Sequence, residues 1–155
     1  MKITLFFCAG NLAETLSIHK ISEMDGCARK LPWTMLAFTI GALGMIGLPP
    51  FAGFISKWYL GMGSVAAGAY WVLLVLVGST LLNAAYFLPV LYRAWFLPGP
   101  DPASDTDRVS MTDARLSLLL PPLFTAGLVL VTGLLAGMSF SPLEWAKLIV
   151  EREYR

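Results

Sequence analysis

One lysine follows a pair of helix-breaking prolines inside a long apolar stretch. Lys57 is the only Asp, Glu, Lys or Arg between Lys30 and Arg93, and it comes about two helical turns after Pro49-Pro50. A lysine at the centre of a bilayer costs about 2.5–3.5 kcal/mol to insert. In a poorly solvated site lysine can take up and release a proton, whereas arginine keeps its proton. The residue types therefore favour proton transfer as the chemistry of this segment.

The residues around the prolines predict an interruption of the helical backbone. Proline lacks an N–H group and glycine tolerates unwound conformations, so a break formed by Gly47, Pro49, Pro50 and Gly53 would expose peptide carbonyl groups. Within a membrane, such backbone is tolerated only where protein buries it or a water-filled cavity solvates it. Broken helices of this kind build ion sites in transporters. A proton relay through Lys57 is one interpretation, and a lysine that snorkels to the membrane surface from the end of a short helix is the other.

The remaining polar residues are weaker candidates for a functional role than Lys57. Lys2 precedes eleven uncharged residues, so it is either a second intramembrane lysine or an ordinary lysine near a chain start. His19 has no partner side chain at ligand spacing, and we expect no metal site, no cofactor site and no catalytic site in this chain. Ser79 and Asn83 are expected to hydrogen-bond between helices.

Composition points to a membrane protein. Hydrophobic residues make up 57% of the 155 residues and charged residues only 14%, whereas soluble domains contain about 25% charged residues. The net charge of +1 gives no case for nucleic-acid binding. Cys8 and Cys27 form neither a CxxC pair nor a metal-binding spacing, and we expect both to be unpaired.

The pattern of apolar segments predicts an all-α, polytopic transmembrane helix bundle over residues 1–138 and a short interfacial tail over 139–155. The apolar run at the N-terminus is too short to cross a bilayer, which takes about 20 residues. It reads as the back half of a membrane helix, so we expect a fragment of a longer protein or the product of a split gene. The predicted helices are 2–16 (partial), 33–48, 51–65, 70–96 and 113–138.

The number of crossings depends on helices 33–48 and 51–65. Sixteen residues span about 24 Å, which is short of the roughly 30 Å hydrocarbon core. One crossing broken near residues 47–50 is therefore favoured, and two separate helices joined by a tight turn are the alternative. In either arrangement the positive-inside rule predicts that loop 17–32 is cytoplasmic.

A specific resemblance appears in residues 30–60, "KLPWTMLAFTIGALGMIGLPPFAGFISKWYL". This stretch resembles the C-terminal part of the antiporter-like membrane subunits shared by respiratory complex I and Mrp-type Na⁺/H⁺ antiporters. Its amino-acid sequence is most similar to that of the D-type subunit of the Mrp antiporters. Residues 2–11 and 81–96 resemble the preceding and following helices of the same family.

The resemblance implies about fourteen helices in two inverted repeats, of which this chain would supply the last four. It implies that Lys57 is the proton-path lysine of the broken helix and that Lys2 is the central-axis lysine one helix earlier. The expected protein is a multi-pass subunit of a bacterial inner-membrane complex. It would move protons, and possibly Na⁺, beside other membrane subunits and lipid, either as part of an NADH-quinone oxidoreductase-type pump or as a cation/proton antiporter. A structural membrane subunit or truncated remnant without transport of its own is the alternative.

Overall fold

The computed structural model describes residues 1–99, 116–136 and 142–153. All regular secondary structure in these ranges is helical, which confirms the predicted all-α fold. The predicted limits 113 and 138 of the last long helix, and part of the tail 139–155, lie outside the described residues. The helices are α1 (Lys2–Leu16), α2 (Cys27–Lys30), α3 (Pro32–Ile46), α4 (Ala52–Ala66), α5 (Trp71–Phe96), α6 (Leu116–Leu134) and α7 (Pro142–Glu153), with a 3₁₀ turn at Ile21–Glu23.

The core lies where α1, α3 and α6 pack together, and α5 covers another side of α3. Small residues on α3 permit this packing. Gly41 lies against Thr4 and Leu5 of α1, and Gly44 lies against Val129 of α6. The core includes buried Cys8, Leu12, Met35, Ala37, Phe38, Ala42, Val90, Leu91, Ala94 and Ala126.

The helical backbone is interrupted between Ile46 and Ala52. Gly47 ends α3 in the left-handed region, with φ of 87°, a conformation that glycine adopts without a steric penalty. The Pro49–Pro50 peptide bond is cis. Gly53 was predicted to belong to the break because it is a glycine. It lies instead inside the first turn of α4.

Two glycines allow the interruption to pack against its neighbours. A Cβ atom on Gly53 would collide with the carbonyl oxygen of Gly44 in α3. A Cβ atom on Gly133 of α6 would collide with the carbonyl oxygen of Pro50 and lie 2.7 Å from the nitrogen of Ala52. The interrupted segment is therefore held between α3 and α6 by backbone contacts that a larger side chain would prevent.

Large apolar side chains cover much of the surface. Among the described residues, two helices are long and apolar enough to cross a membrane, Trp71–Phe96 and Ser117–Leu134, each with a mean hydropathy of 1.9 over its best window. Helices α3 and α4 have 15 residues each, or about 22 Å at 1.5 Å per residue. A water-soluble monomer rarely exposes so large an apolar surface. The exposed apolar surface of this protein includes Phe6, Trp58, Leu74, Leu81, Leu82, Tyr86, Phe124 and Leu134.

An ion pair joins the loop after α1 to the end of α5. Arg93 donates to Asp25 from Nε at 2.7 Å and from Nη2 at 3.1 Å, and the Gly26 N–H donates to the Arg93 carbonyl oxygen. Ser22 and Asp25 have the spacing of a capping box, but Asp25 pairs with Arg93. Instead, the carboxylate of Glu23 accepts hydrogen bonds from the backbone N–H groups of His19 and Lys20.

Because of the Asp25–Arg93 ion pair, we expect the folded protein to lose stability in acid. The hydrogen bonds from Arg93 hold the pKa of Asp25 below its ordinary value, so the pair stabilises the fold above the unfolded-state pKa of about 3.9. This contribution is lost as the pH falls through the lower folded-state pKa, because protonated Asp25 no longer attracts Arg93. Thermal unfolding measured between pH 3 and pH 7 should show Asp25→Asn destabilised at pH 7, with the difference from wild type shrinking below about pH 4. An equal difference at both pH values would contradict this role of the carboxylate.

Candidate functional site

Lys57 projects from α4 back toward the end of α3. Its Nζ atom donates to the carbonyl oxygen of Ile46 at 2.8 Å and to the hydroxyl oxygen of Thr80 at 2.9 Å, with a longer 3.4 Å contact to the carbonyl oxygen of Met45. Two helix-end carbonyl groups and one hydroxyl group therefore surround the ammonium group.

The interrupted backbone explains why these carbonyl groups are available. The last carbonyl groups of an α-helix have no intrahelical partner, and they carry the negative end of the helix dipole. The N–H groups of Gly47 and Leu48 both donate to the carbonyl oxygen of Leu43, which leaves the later carbonyl groups able to accept from Lys57. An ammonium group has three hydrogens to donate, so the break supplies partners for a lysine that water would otherwise solvate.

Thr80 belongs to a different helix from the two carbonyl groups. It lies on α5, and its hydroxyl group donates to the carbonyl oxygen of Leu76 at 2.9 Å while its oxygen accepts from Lys57. The sequence pattern pointed to the neighbouring Ser79 and Asn83 instead. No spacing rule identifies Thr80, because the register between α4 and α5 decides which side chain of α5 meets Lys57.

A groove with a volume of about 670 Å³ runs between α4 and α5 beside Lys57. Apart from Lys57 and Thr80 its lining is almost wholly apolar, so the polar atoms are concentrated at one place. The apolar lining includes Phe54, Trp58, Val65, Leu73, Leu76 and Val77.

Lys2 lies at the first residue of α1 and is exposed. It lines a second cavity, of about 610 Å³, together with Phe38, Met45 and Tyr86. Met45 lines the Lys2 cavity, and its carbonyl oxygen contacts Lys57. Lys2 and Lys57 line different cavities, so the two predicted relay residues occupy neighbouring but separate sites.

Further polar groups lie inside the bundle, between α1 and α3. Asn11 donates to the hydroxyl oxygen of Thr34 at 2.8 Å and accepts from Thr15 at 2.9 Å. The hydroxyl group of Thr4 is buried and has no partner in the described part of the chain. Within the same ranges no group of three or more His, Cys, Asp or Glu side chains could hold a metal ion.

Comparison with known proteins identifies relatives over most of the chain. Residues 1–83 match the family described as NADH:quinone oxidoreductase/Mrp antiporter, transmembrane. The chain is 42% identical over 137 residues to NADH-quinone oxidoreductase subunit N of Desulforudis audaxviator, covering 84% of this chain and 27% of the relative. It is 27% identical over 143 residues to F(420)H(2) dehydrogenase subunit N of Methanosarcina mazei, covering 86% of this chain and 28% of the relative. No solved structure matches.

These relatives refine the resemblance read from the motifs. They are named subunit N of NADH-quinone oxidoreductase and subunit N of F(420)H(2) dehydrogenase, so the expected similarity to the D-type subunit of the Mrp antiporters is not shown. The chain spans about a quarter of the length of these relatives. Because the family match covers more than half of its residues, the chain belongs to the membrane-subunit family shared by NADH:quinone oxidoreductases and Mrp antiporters.

Proposed function

We propose that this chain is a C-terminal part of a membrane subunit that moves protons, and that Lys57 is the residue that takes them up and releases them. The observation that carries the proposal is the position of the Lys57 ammonium group on the carbonyl oxygens of Met45 and Ile46 and on the hydroxyl group of Thr80. Lysine at such a site can exchange its proton. Lys2 is proposed as its neighbour along the path, with Met45 between the two sites.

The direction of the Lys57 side chain favours a relay over a snorkelling lysine. A snorkelling side chain extends toward the nearer membrane surface and leaves its head group in water. Lys57 instead reaches back to the interrupted backbone and to the neighbouring helix α5. Its half-buried ammonium group therefore lies on oxygen atoms of α3 and α5, beside the groove between α4 and α5.

The parent complex is proposed to be a redox-driven pump. The support is the naming of the relatives as subunit N of NADH-quinone oxidoreductase and F(420)H(2) dehydrogenase. Other membrane subunits of that complex and lipid would then be the partners. A cation/proton antiporter of the Mrp type is the alternative, because the family includes both types. Inverted vesicles containing the parent complex distinguish them: a redox pump acidifies the lumen when the electron donor is added without Na⁺, whereas an antiporter responds to an imposed Na⁺ gradient without a donor.

We further propose that α3 and α4 form one broken crossing and that loop 17–32 faces the cytoplasm. Each of these helices is shorter than the hydrocarbon core, and the loop carries the basic residues Lys20, Arg29 and Lys30, which the positive-inside rule places on the cytoplasmic side.

The orientation predicts which side of the membrane reaches Ser22, an exposed residue of this loop. In a background with Cys8 and Cys27 replaced by alanine, Ser22→Cys should react with a membrane-impermeant maleimide in inverted vesicles and stay unlabelled in intact cells. Labelling only in intact cells would contradict the orientation. The cysteine-free background without Ser22→Cys serves as the control.

A further inference from the structure

We propose that Thr80 is a positioning residue for Lys57 that serves both protonation states of the lysine; this inference rests on the proposed function. Among the described residues Lys57 has three oxygen partners, and two of them are backbone carbonyl groups of α3. Thr80 is the only side chain among them in the part of the chain that the structure describes, and it alone comes from α5. It therefore ties the lysine to a helix on the other side of the groove.

The chemistry of the three partners differs. A carbonyl oxygen only accepts a hydrogen bond, whereas a hydroxyl group both donates and accepts. The hydroxyl hydrogen of Thr80 points to the carbonyl oxygen of Leu76, so its oxygen accepts from the ammonium group. When Lys57 loses a proton, the amine gains a lone pair that carbonyl groups cannot satisfy. Rotation of the Thr80 hydroxyl group would direct its hydrogen to that lone pair.

This exchange needs no movement of either helix. The carbonyl groups of Met45 and Ile46 continue to accept the remaining N–H groups of the amine, and only the hydroxyl hydrogen of Thr80 turns. A polar atom that is left without a partner away from water is destabilising, so a hydroxyl group that satisfies both forms reduces the cost of the proton exchange. Valine at position 80 has the same shape as threonine but can satisfy neither form.

The test compares variants of Thr80 in the assembled parent complex. Thr80→Val should lower the rate of proton translocation by about fivefold to tenfold, the range expected for losing one hydrogen-bond partner of about 1–1.4 kcal/mol. Thr80→Ser, which keeps the hydroxyl group, should retain most of the rate. Thr132→Val is the matched control, because Thr132 is also a helical threonine whose hydroxyl group donates to a carbonyl group of its own helix, that of Leu128. If Thr80→Val does not assemble, Thr80→Ala removes the same hydroxyl group with a smaller side chain.

Two results would overturn the inference. One is translocation by Thr80→Val at the wild-type level. The other is an equal loss in Thr80→Val and Thr80→Ser, because shape rather than the hydroxyl group would then be responsible. Measuring Lys57→Met in parallel distinguishes failure of the proposed role of Thr80 from failure of the proposed relay through Lys57. If Lys57→Met is inactive and Thr80→Val is fully active, the relay stands and only the role of Thr80 fails; if Lys57→Met is fully active, the proposed function itself fails.

Discussion

Replacing Lys57 with methionine is expected to lower the rate of proton translocation through this subunit by roughly a hundredfold or more, while the complex assembles normally. Methionine has a similar length and fills the space beside Gly47, which the Lys57 side chain contacts. It has no proton to exchange, and a positioned proton-transfer group contributes about 10²–10⁴-fold to a rate. The measurement is the initial rate at which inverted vesicles acidify when the electron donor is added, at matched amounts of assembled complex.

The control for Lys57→Met is the same change at Lys30, an exposed lysine at the end of α2. Lys30→Met should translocate protons as the wild type does. A purely structural membrane subunit would behave differently: Lys57→Met would then either assemble and pump normally or fail at assembly. Normal pumping by assembled Lys57→Met would reject the relay.

Replacing either glycine that packs at the interruption between α3 and α4 is expected to destabilise the protein. In Gly53→Ala the new methyl group meets the carbonyl oxygen of Gly44, and in Gly133→Ala it meets that of Pro50. Both neighbours are backbone atoms, which cannot move away as the end of a side chain can. Overpacking costs about 1–3 kcal/mol, and we expect the upper part of this range, together with reduced translocation because the carbonyl groups that hold Lys57 would shift. Thermal unfolding of the purified complex measures the first effect and vesicle acidification the second.

Two further glycines on the same helices provide matched controls. Gly63 on α4 and Gly127 on α6 have no described atom within 4 Å of the position that a new methyl group would occupy. Gly63→Ala and Gly127→Ala should therefore leave unfolding temperature and translocation unchanged or slightly improved, since alanine is favoured over glycine in a helix by about 1 kcal/mol. Equal losses in all four variants would show that close packing at the break is not the cause.

The helices could be predicted from the sequence because local signals mark their ends. Pro32 stands at the first residue of α3 and Gly47 just after its last, the positions that these residues favour. Predicted helices 33–48 and 51–65 agree with Pro32–Ile46 and Ala52–Ala66 to within two residues. Pro49 and Pro50 predicted the interruption for the same reason, since proline cannot continue the hydrogen bonding of a helix.

The partners of the charged groups could not be predicted, because they depend on contacts between distant segments. Lys57 and Thr80 lie 23 residues apart, and Asp25 and Arg93 lie 68 residues apart. The sequence marks Lys57 as important through its cost in a membrane, but that cost says nothing about which oxygens satisfy it. Gly53 was assigned to the break from its residue type alone, whereas its role is to let α4 approach the backbone of α3.

The most direct test of the central claim is proton translocation by Lys57→Arg in the assembled complex. Arginine keeps the positive charge and can still donate to the carbonyl oxygens of Met45 and Ile46, but it does not release its proton. If Lys57 works by exchanging a proton, Lys57→Arg should translocate as poorly as Lys57→Met, at normal assembly and with electron transfer still measurable. If Lys57→Arg pumps at the wild-type level while Lys57→Met does not, a fixed positive charge is sufficient and the relay through Lys57 is wrong.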